Sequence, residues 1–141
     1  MIKYYKSGSY DPKIATNGAA GMDLYVNEVK TLSDHVEIKT GIHVEIPSGW
    51  VGLLMPRSSW GLAGWSLANT LGVIDSDYRG EIIIKAKHDN TRGFSTVKVG
   101  ERVAQMVTVR CMPNTLTEVP RLEDLAPTTR GANGFGSTGG A

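Results

Sequence analysis

The chain has 141 residues, of which 40% are hydrophobic and 21% charged, enough for one domain with its own core and ordinary for a soluble globular protein. Fifteen basic and fourteen acidic side chains leave a formal charge of +1, which argues against a broad nucleic-acid or anionic-membrane surface but leaves room for a small anion site. Cys111 stands alone and excludes a disulfide framework, no apolar stretch nears the ~20 residues that span a bilayer, and the opening Met1-Ile2-Lys3-Tyr4-Tyr5-Lys6 is too short and mixed for a signal peptide, so a cytoplasmic location is expected.

In chain order, Ala19-Ala20-Gly21-Met22-Asp23-Leu24-Tyr25 places Asp23 at the start of a strand behind a turn of small residues. A lone Asp there is ordinarily a turn residue. Its functional reading is a water-mediated partner of Mg²⁺, an ion that prefers oxygen ligands and keeps several waters. Ile42, Val44 and Ile46 then alternate with His43 and Glu45 until Pro47-Ser48-Gly49 breaks the run. Trp50 to Met55 is a short apolar strand ending at Pro56. Arg57, Ser58 and Ser59 follow at a possible helix start, over Ser58 to Leu67, with Ser58 or Ser59 as N-cap. A guanidinium and two hydroxyls beside free helix N–H groups can bind an anion; the bland alternative is a plain cap with a surface arginine.

Gly72-Val73-Ile74-Asp75-Ser76-Asp77-Tyr78-Arg79-Gly80-Glu81 carries polar turn residues between apolar flanks and predicts a hairpin. Asp75 follows two apolar residues, so partial desolvation would suit it to general-base work, and Tyr78 could pack on a sugar. Ile82, Ile84 and Ala86 alternate, as do Val97 and Val99 before Gly100. Val103 to Val109 reads as a mostly buried strand with Gln105 inside it, a polar group that needs a partner. Arg102 could pair with and orient an acidic residue. Cys111, within the strand-like run Val107 to Met112, is expected to pack as a small buried hydrophobe.

After Leu122 the composition shifts to Pro127-Thr128-Thr129 and then Arg130-Gly131-Ala132-Asn133-Gly134-Phe135-Gly136-Ser137-Thr138-Gly139. Glycines let amide groups approach an oxyanion, Arg130 adds a planar fork, and Phe135 supplies a ring with nothing local to pack against. The expected organisation is a β domain over 1–122, a sandwich or barrel of short strands, followed by a C-terminal arm over 123–141. His35, His43 and His88 lack metal-ligand spacing. Neither common glycine-rich phosphate fingerprint occurs.

Five segments in this order resemble the motifs of the trimeric dUTPase family: Ala20 to Leu24, Pro56 to Ser59, Asn69 through Gly72 to Glu81, Gly100 to Gln105, and Arg130 to Gly139. The resemblance implies an all-β, jelly-roll-like domain, a homotrimer whose active sites are shared between subunits, and hydrolysis of dUTP to dUMP and pyrophosphate with Mg²⁺. Such an activity keeps uracil out of DNA and supplies dUMP for thymidylate synthesis. It implies Asp75 as the base that activates water against the α-phosphorus and Gln105 as an α-phosphate and water-positioning group. Tyr78 is implied under the deoxyribose, with Asn69, Gly72, Val73 and Ile74 around the uracil and Ile83 beside them. Arg57, Ser58 and Ser59 are implied phosphate ligands. Arg130, Gly136, Ser137 and Thr138 would close over the phosphates while Phe135 stacks on the base, and Asp23 would reach Mg²⁺ through water.

Four positions depart from the usual pattern. Ser59 stands where many members have Gly, Trp60 where Leu or a smaller residue is common, Ile83 where some place Lys, and Asn133 replaces a frequent Gly. The alternatives are a dCTP deaminase-type relative, which needs a differently placed catalytic Glu, and a second, non-catalytic regulatory binding role.

Overall fold

The computed structural model describes residues 1–90, 95–112 and 115–132. Among them, the strands are β1 (Lys3–Lys6), β2 (Lys13–Ile14), β3 (Met22–Tyr25), β4 (Glu28–Thr31), β5 (Val36–Glu45), β6 (Trp50–Pro56), β7 (Trp65–Leu67), β8 (Gly72–Ile74), β9 (Glu81–His88) and β10 (Arg102–Arg110). One helix, α1 (Ser58–Leu62), follows β6, and a 3₁₀ turn lies at Leu122–Asp124. The strands form two antiparallel sheets. One has the order β1–β5–β9–β7 with β4 also on β5; the other runs β2–β3–β10–β6–β8. The protein is therefore all-β.

Period-two patterning accounts for the core. Ile38, Thr40, Ile42 and Val44 of β5 and Ile82, Ile84 and Ala86 of β9 are buried on one sheet. Leu24, Leu54, Ala104 and Met106 are buried on the other, and all the apolar ones join a single cluster between the layers. β5 bends at Gly41, whose φ of 69° suits glycine. β4 pairs with β5 before this bend and β1 after it, both on the same edge. The register with β9 shifts there too. The Glu81 carboxylate accepts the Gly41 N–H at 2.7 Å, and the Thr40 hydroxyl donates to the Ile82 carbonyl at 2.7 Å, so side chains supply partners where the ladder is interrupted.

Several expectations change. The helix spans Ser58–Leu62, not Ser58 to Leu67, because Gly64 turns the chain at φ 92° and Trp65–Leu67 joins β9 as an edge strand. Its N-cap is Arg57, with no side-chain cap bond, so neither serine caps it. Val97 and Val99 lie outside any strand: Glu101 N–H donates to Lys98 O at 3.1 Å and Lys98 N–H to the Glu101 carboxylate at 3.1 Å, closing a turn in place of a ladder. Residues 75–80 do not join a hairpin. β8 pairs with β6 and β9 with β5 and β7, so this segment is a corner between the two sheets. Cys111 is exposed, lying one residue past the end of β10.

Candidate functional site

One group of site residues gathers where β3, β10 and the end of β6 meet. Asp23 is only 6% exposed, yet it is not left uncompensated. Arg57 Nε lies 3.2 Å from one carboxylate oxygen and Arg102 Nη1 donates to the other at 2.9 Å. A buried carboxylate requires such partners. Arg102 thus meets the acidic residue that its sequence context suggested, and Asp23 is a buried ion-pair centre rather than a turn residue. Arg57 is held further through its Nη1, which donates to Arg102 O at 3.3 Å, and its backbone N–H, which donates to Val103 O at 3.0 Å. Ser58 and Ser59 follow, both exposed.

Gln105 stands directly opposite Asp23 on one side and Met55 on the other. Its amide donates to Pro56 O at 3.4 Å, a long bond, which is the partner that a polar group inside an apolar strand needs. The space for its side chain exists because residue 21 is glycine. A Cβ there would fall on Gln105 Oε1 and lie 3.2 Å from its Cδ.

The second group is the corner. Val73, Ile74, Asp75, Tyr78, Glu81, Ile82 and Ile83 line a cavity of about 150 Å³. Asp75 and Tyr78 bracket the turn, with Tyr78 N–H donating to Asp75 O at 3.2 Å. Asp75 is exposed in this chain, so burial by its own fold does not desolvate it, contrary to expectation. The Tyr78 hydroxyl donates to Glu81 O at 2.9 Å, folding the ring back over Gly80. A Cβ at Gly80 would overlap that ring, within 2.8 Å of its Cε2. Arg79 braces the corner by donating from Nη1 to Ser76 O at 2.7 Å and Tyr78 O at 2.9 Å. Ile83 and Tyr78 expose 41% and 42% of their surface respectively, at the mouth. Gly72 packs on Leu54, where a Cβ would come within 2.9 Å of the leucine Cβ. Asn69 is exposed just before it, in the turn where Leu71 N–H donates to Asn69 O at 2.6 Å.

These two groups are far apart within one chain. Ile74 lies opposite Gly52 and Gln105 opposite Met55, with β8 and β10 on opposite sides of β6. Two interstrand steps of about 4.8 Å and three strand steps of about 3.3 Å separate Ile74 from Gln105, roughly 14 Å in all. Asp75 then continues away from the Arg57 end. Arg130 lies in a turn where Gly131 N–H donates to Thr128 O at 3.1 Å. Phe135, Gly136, Ser137 and Thr138, with Asn133, lie outside the described residues. Sequence reading missed two positions: Gly21 and Gly80 matter by what they leave empty, and while Gly80 shares a motif with Tyr78, Gly21 stands in a different motif from Gln105 and carries no signal of that contact.

No group of three or more His, Cys, Asp or Glu able to hold a metal ion occurs among the described residues. Mg²⁺ could still be carried on triphosphate oxygens, which suit a hard cation and need little from the protein beyond a carboxylate reached through water.

A sequence profile of the dUTPase family matches residues 9–139. The deoxyuridine 5'-triphosphate nucleotidohydrolase of Desulfitobacterium hafniense is 43% identical over 135 residues, covering 91% of this chain and 86% of that protein. The solved dUTPase of Staphylococcus bacteriophage 80alpha, with dUPNHPP bound, superposes with a TM-score of 0.81 at 26% identity, over 99% of this chain and 98% of that one. A mutant dUTPase from phage phi11 of S. aureus, whose structure describes a structural Mg(II) ion, superposes with a TM-score of 0.70 at 23% identity, over 87% of this chain and 99% of that one.

Proposed function

The chain belongs to the dUTPase family, and from that premise we propose how its residues divide the hydrolysis of dUTP to dUMP and pyrophosphate. Asp75 is the general base: it orients a water against the α-phosphorus and takes its proton. Gln105 positions the α-phosphate and that water. Uracil enters beside Asn69, Gly72, Val73 and Ile74, with Ile83 at the mouth of the cavity. The Tyr78 ring lies under the deoxyribose and leaves no room for a 2′-hydroxyl. Arg57, Ser58 and Ser59 hold phosphate oxygens, with the guanidinium aimed by Asp23. Phosphoryl transfer of this kind is mostly positioning and charge neutralisation.

One observation carries the arrangement. A base and an α-phosphate ligand must both come within about 3 Å of one water, yet in a single chain Ile74, the neighbour of Asp75, lies roughly 14 Å from Gln105, and the chain runs on from Ile74 away from the Arg57 end of β6. On this reading each site takes Asp75 from one copy and Gln105 from another, in the homotrimer that the family resemblance implies. The outer face of the second sheet supports such packing. Val51, Leu53, Val107 and Val109 line up there by strand register, none of them buried in the single chain, and uncovered apolar strips of this kind are characteristic of subunit interfaces. The arm over 123–141 brings Arg130, Phe135, Gly136, Ser137 and Thr138 over the bound nucleotide. Mg²⁺ bound to the triphosphate would neutralise charge as pyrophosphate leaves, with Asp23 as its water-mediated contact. Since both Asp23 oxygens already face guanidinium groups, a direct bond to the ion is disfavoured.

The test is a panel of dUTP, UTP, dCTP and dTTP with magnesium, read by pyrophosphate release. Release from dUTP alone is expected. Ammonia from dCTP would overturn the reading in favour of a deaminase, and an inert response to dUTP would leave only a binding role.

A further inference from the structure

We propose that Trp60 is a positioning residue for the phosphate end of the site, an inference that rests on Arg57, Ser58 and Ser59 being phosphate ligands. Trp60 immediately follows these residues in α1, which is five residues long. A helix this short cannot sustain itself, and Gly61 inside it weakens it further. Its capping is of no help, because no side chain caps the start. What holds the turn is the Trp60 indole, 7% exposed, lying flat on Trp65 with ring centroids 5.2 Å apart and planes 4° from parallel. Trp60 N–H also donates to Arg57 O at 3.0 Å, closing the turn that presents the guanidinium and both hydroxyls.

The second ring is itself fixed. Trp65 Nε1–H donates to the Ser95 hydroxyl at 3.2 Å, and the indole packs edge-on against His88 at 4.9 Å. His88 Nε2 lies 2.9 Å from Ala63 O, a carbonyl that can only accept, and His88 Nδ1 lies 3.0 Å from both the N–H and the Oδ1 of Asn90. Asp89 N–H donates to Gly64 O at 3.0 Å. The far end of α1 is thus strapped to the end of β9, and the stacked indoles carry that rigidity forward to Ser58 and Ser59. Neither hydroxyl is spent on the helix, so both remain available to a ligand. The base-and-sugar cavity is built from β8, β9 and the corner and shares no residue with this stack. Trp60 should therefore govern the grip on phosphates and leave the grip on the nucleoside alone.

The experiment compares affinities for a non-hydrolysable dUTP analogue and for deoxyuridine. In Trp60→Leu the analogue should bind about tenfold more weakly while deoxyuridine changes less than about twofold, and Trp60→Phe, which keeps a ring for the stack, should recover most of the loss. Equal losses for both ligands, or no loss for either, would overturn the proposal. Should Trp60→Leu not fold, a Trp50→Phe variant decides instead. It leaves only the stacked pair of the chain's three tryptophans, and their fluorescence, excited at the red edge of indole absorption, should respond to the analogue and not to deoxyuridine. An unresponsive pair sinks the idea. A wild-type chain that leaves dUTP uncleaved counts against the enzymatic reading itself, a separate result from either binding comparison.

Discussion

Asp23 and Gln105 face each other across the β3–β10 ladder. Directly opposed residues of an antiparallel pair project to the same side of a sheet. The register thus sets a carboxylate held by two arginines beside the amide proposed to hold the α-phosphate, on the face turned away from the core. Pairing alone assembles this end of the site.

Asp75→Asn should lower turnover about a hundredfold or more, in line with the loss of a general base. Binding of a non-hydrolysable dUTP analogue should stay within a few-fold of wild type. Steady-state kinetics beside calorimetric titration checks both, and near-normal turnover would remove Asp75 from its role.

Asp23→Asn strips the neutralising charge from Arg57 and Arg102. Breaking a buried pair costs 3–5 kcal/mol, but both guanidinium side chains are about a third exposed, so a loss of about 2–3 kcal/mol is expected. Urea unfolding at fixed protein concentration measures it. The Michaelis constant for dUTP should rise as well, since Arg57 loses its alignment.

Gly80→Ala leaves the backbone unstrained, because Gly80 has no positive φ. The new methyl group displaces the Tyr78 ring instead. Stability should change by less than about 1 kcal/mol, while discrimination between dUTP and UTP drops. Hydrolysis rates on the two nucleotides provide the readout, and intact selectivity would count against the ring's place under the sugar.

Gly21→Ala acts by the same logic on Gln105. Its turnover should approach that of Gln105→Ala, and the double variant should be no worse than either single one, as expected for two changes that remove one interaction. Additive losses would show that Gly21 has some other task.

Removal of residues 130–141 should preserve folding and assembly, measured by light scattering, and abolish most turnover. Unchanged kinetics would rule out the arm as part of the site.

Much of the fold was legible because alternation is a direct imprint of burial. Ile42 to Ile46, Trp50 to Met55, Ile82 to Ala86 and Val103 to Val109 all fall in or immediately beside strands of the expected kind. Polar or very short strands carry no such imprint: Lys3–Lys6 and Glu28–Thr31 are edge strands recruited by β5. The corner at 75–80 was misread as a hairpin because turn chemistry specifies a reversal and not which sheet receives the chain afterward. The proposed site residues stand in motifs that can be read along the chain. That Arg102 pairs with a carboxylate could be read as well, but not which one, since the Asp23–Arg57–Arg102 cluster joins positions up to 79 residues apart.

The placement of Asp75 and Arg57 toward opposite ends of β6 has a genetic consequence. Were two copies to furnish every reaction centre, a chain lesioned in only one of its two contributing parts would silence one centre, no more than its own share of an assembly. Two differently crippled chains, by contrast, can restore one another wherever their sound halves meet. Co-expression of two such mutants would then be governed by how subunits are dealt into oligomers, restoring some activity from a pair of chains that a self-contained catalyst would leave inert.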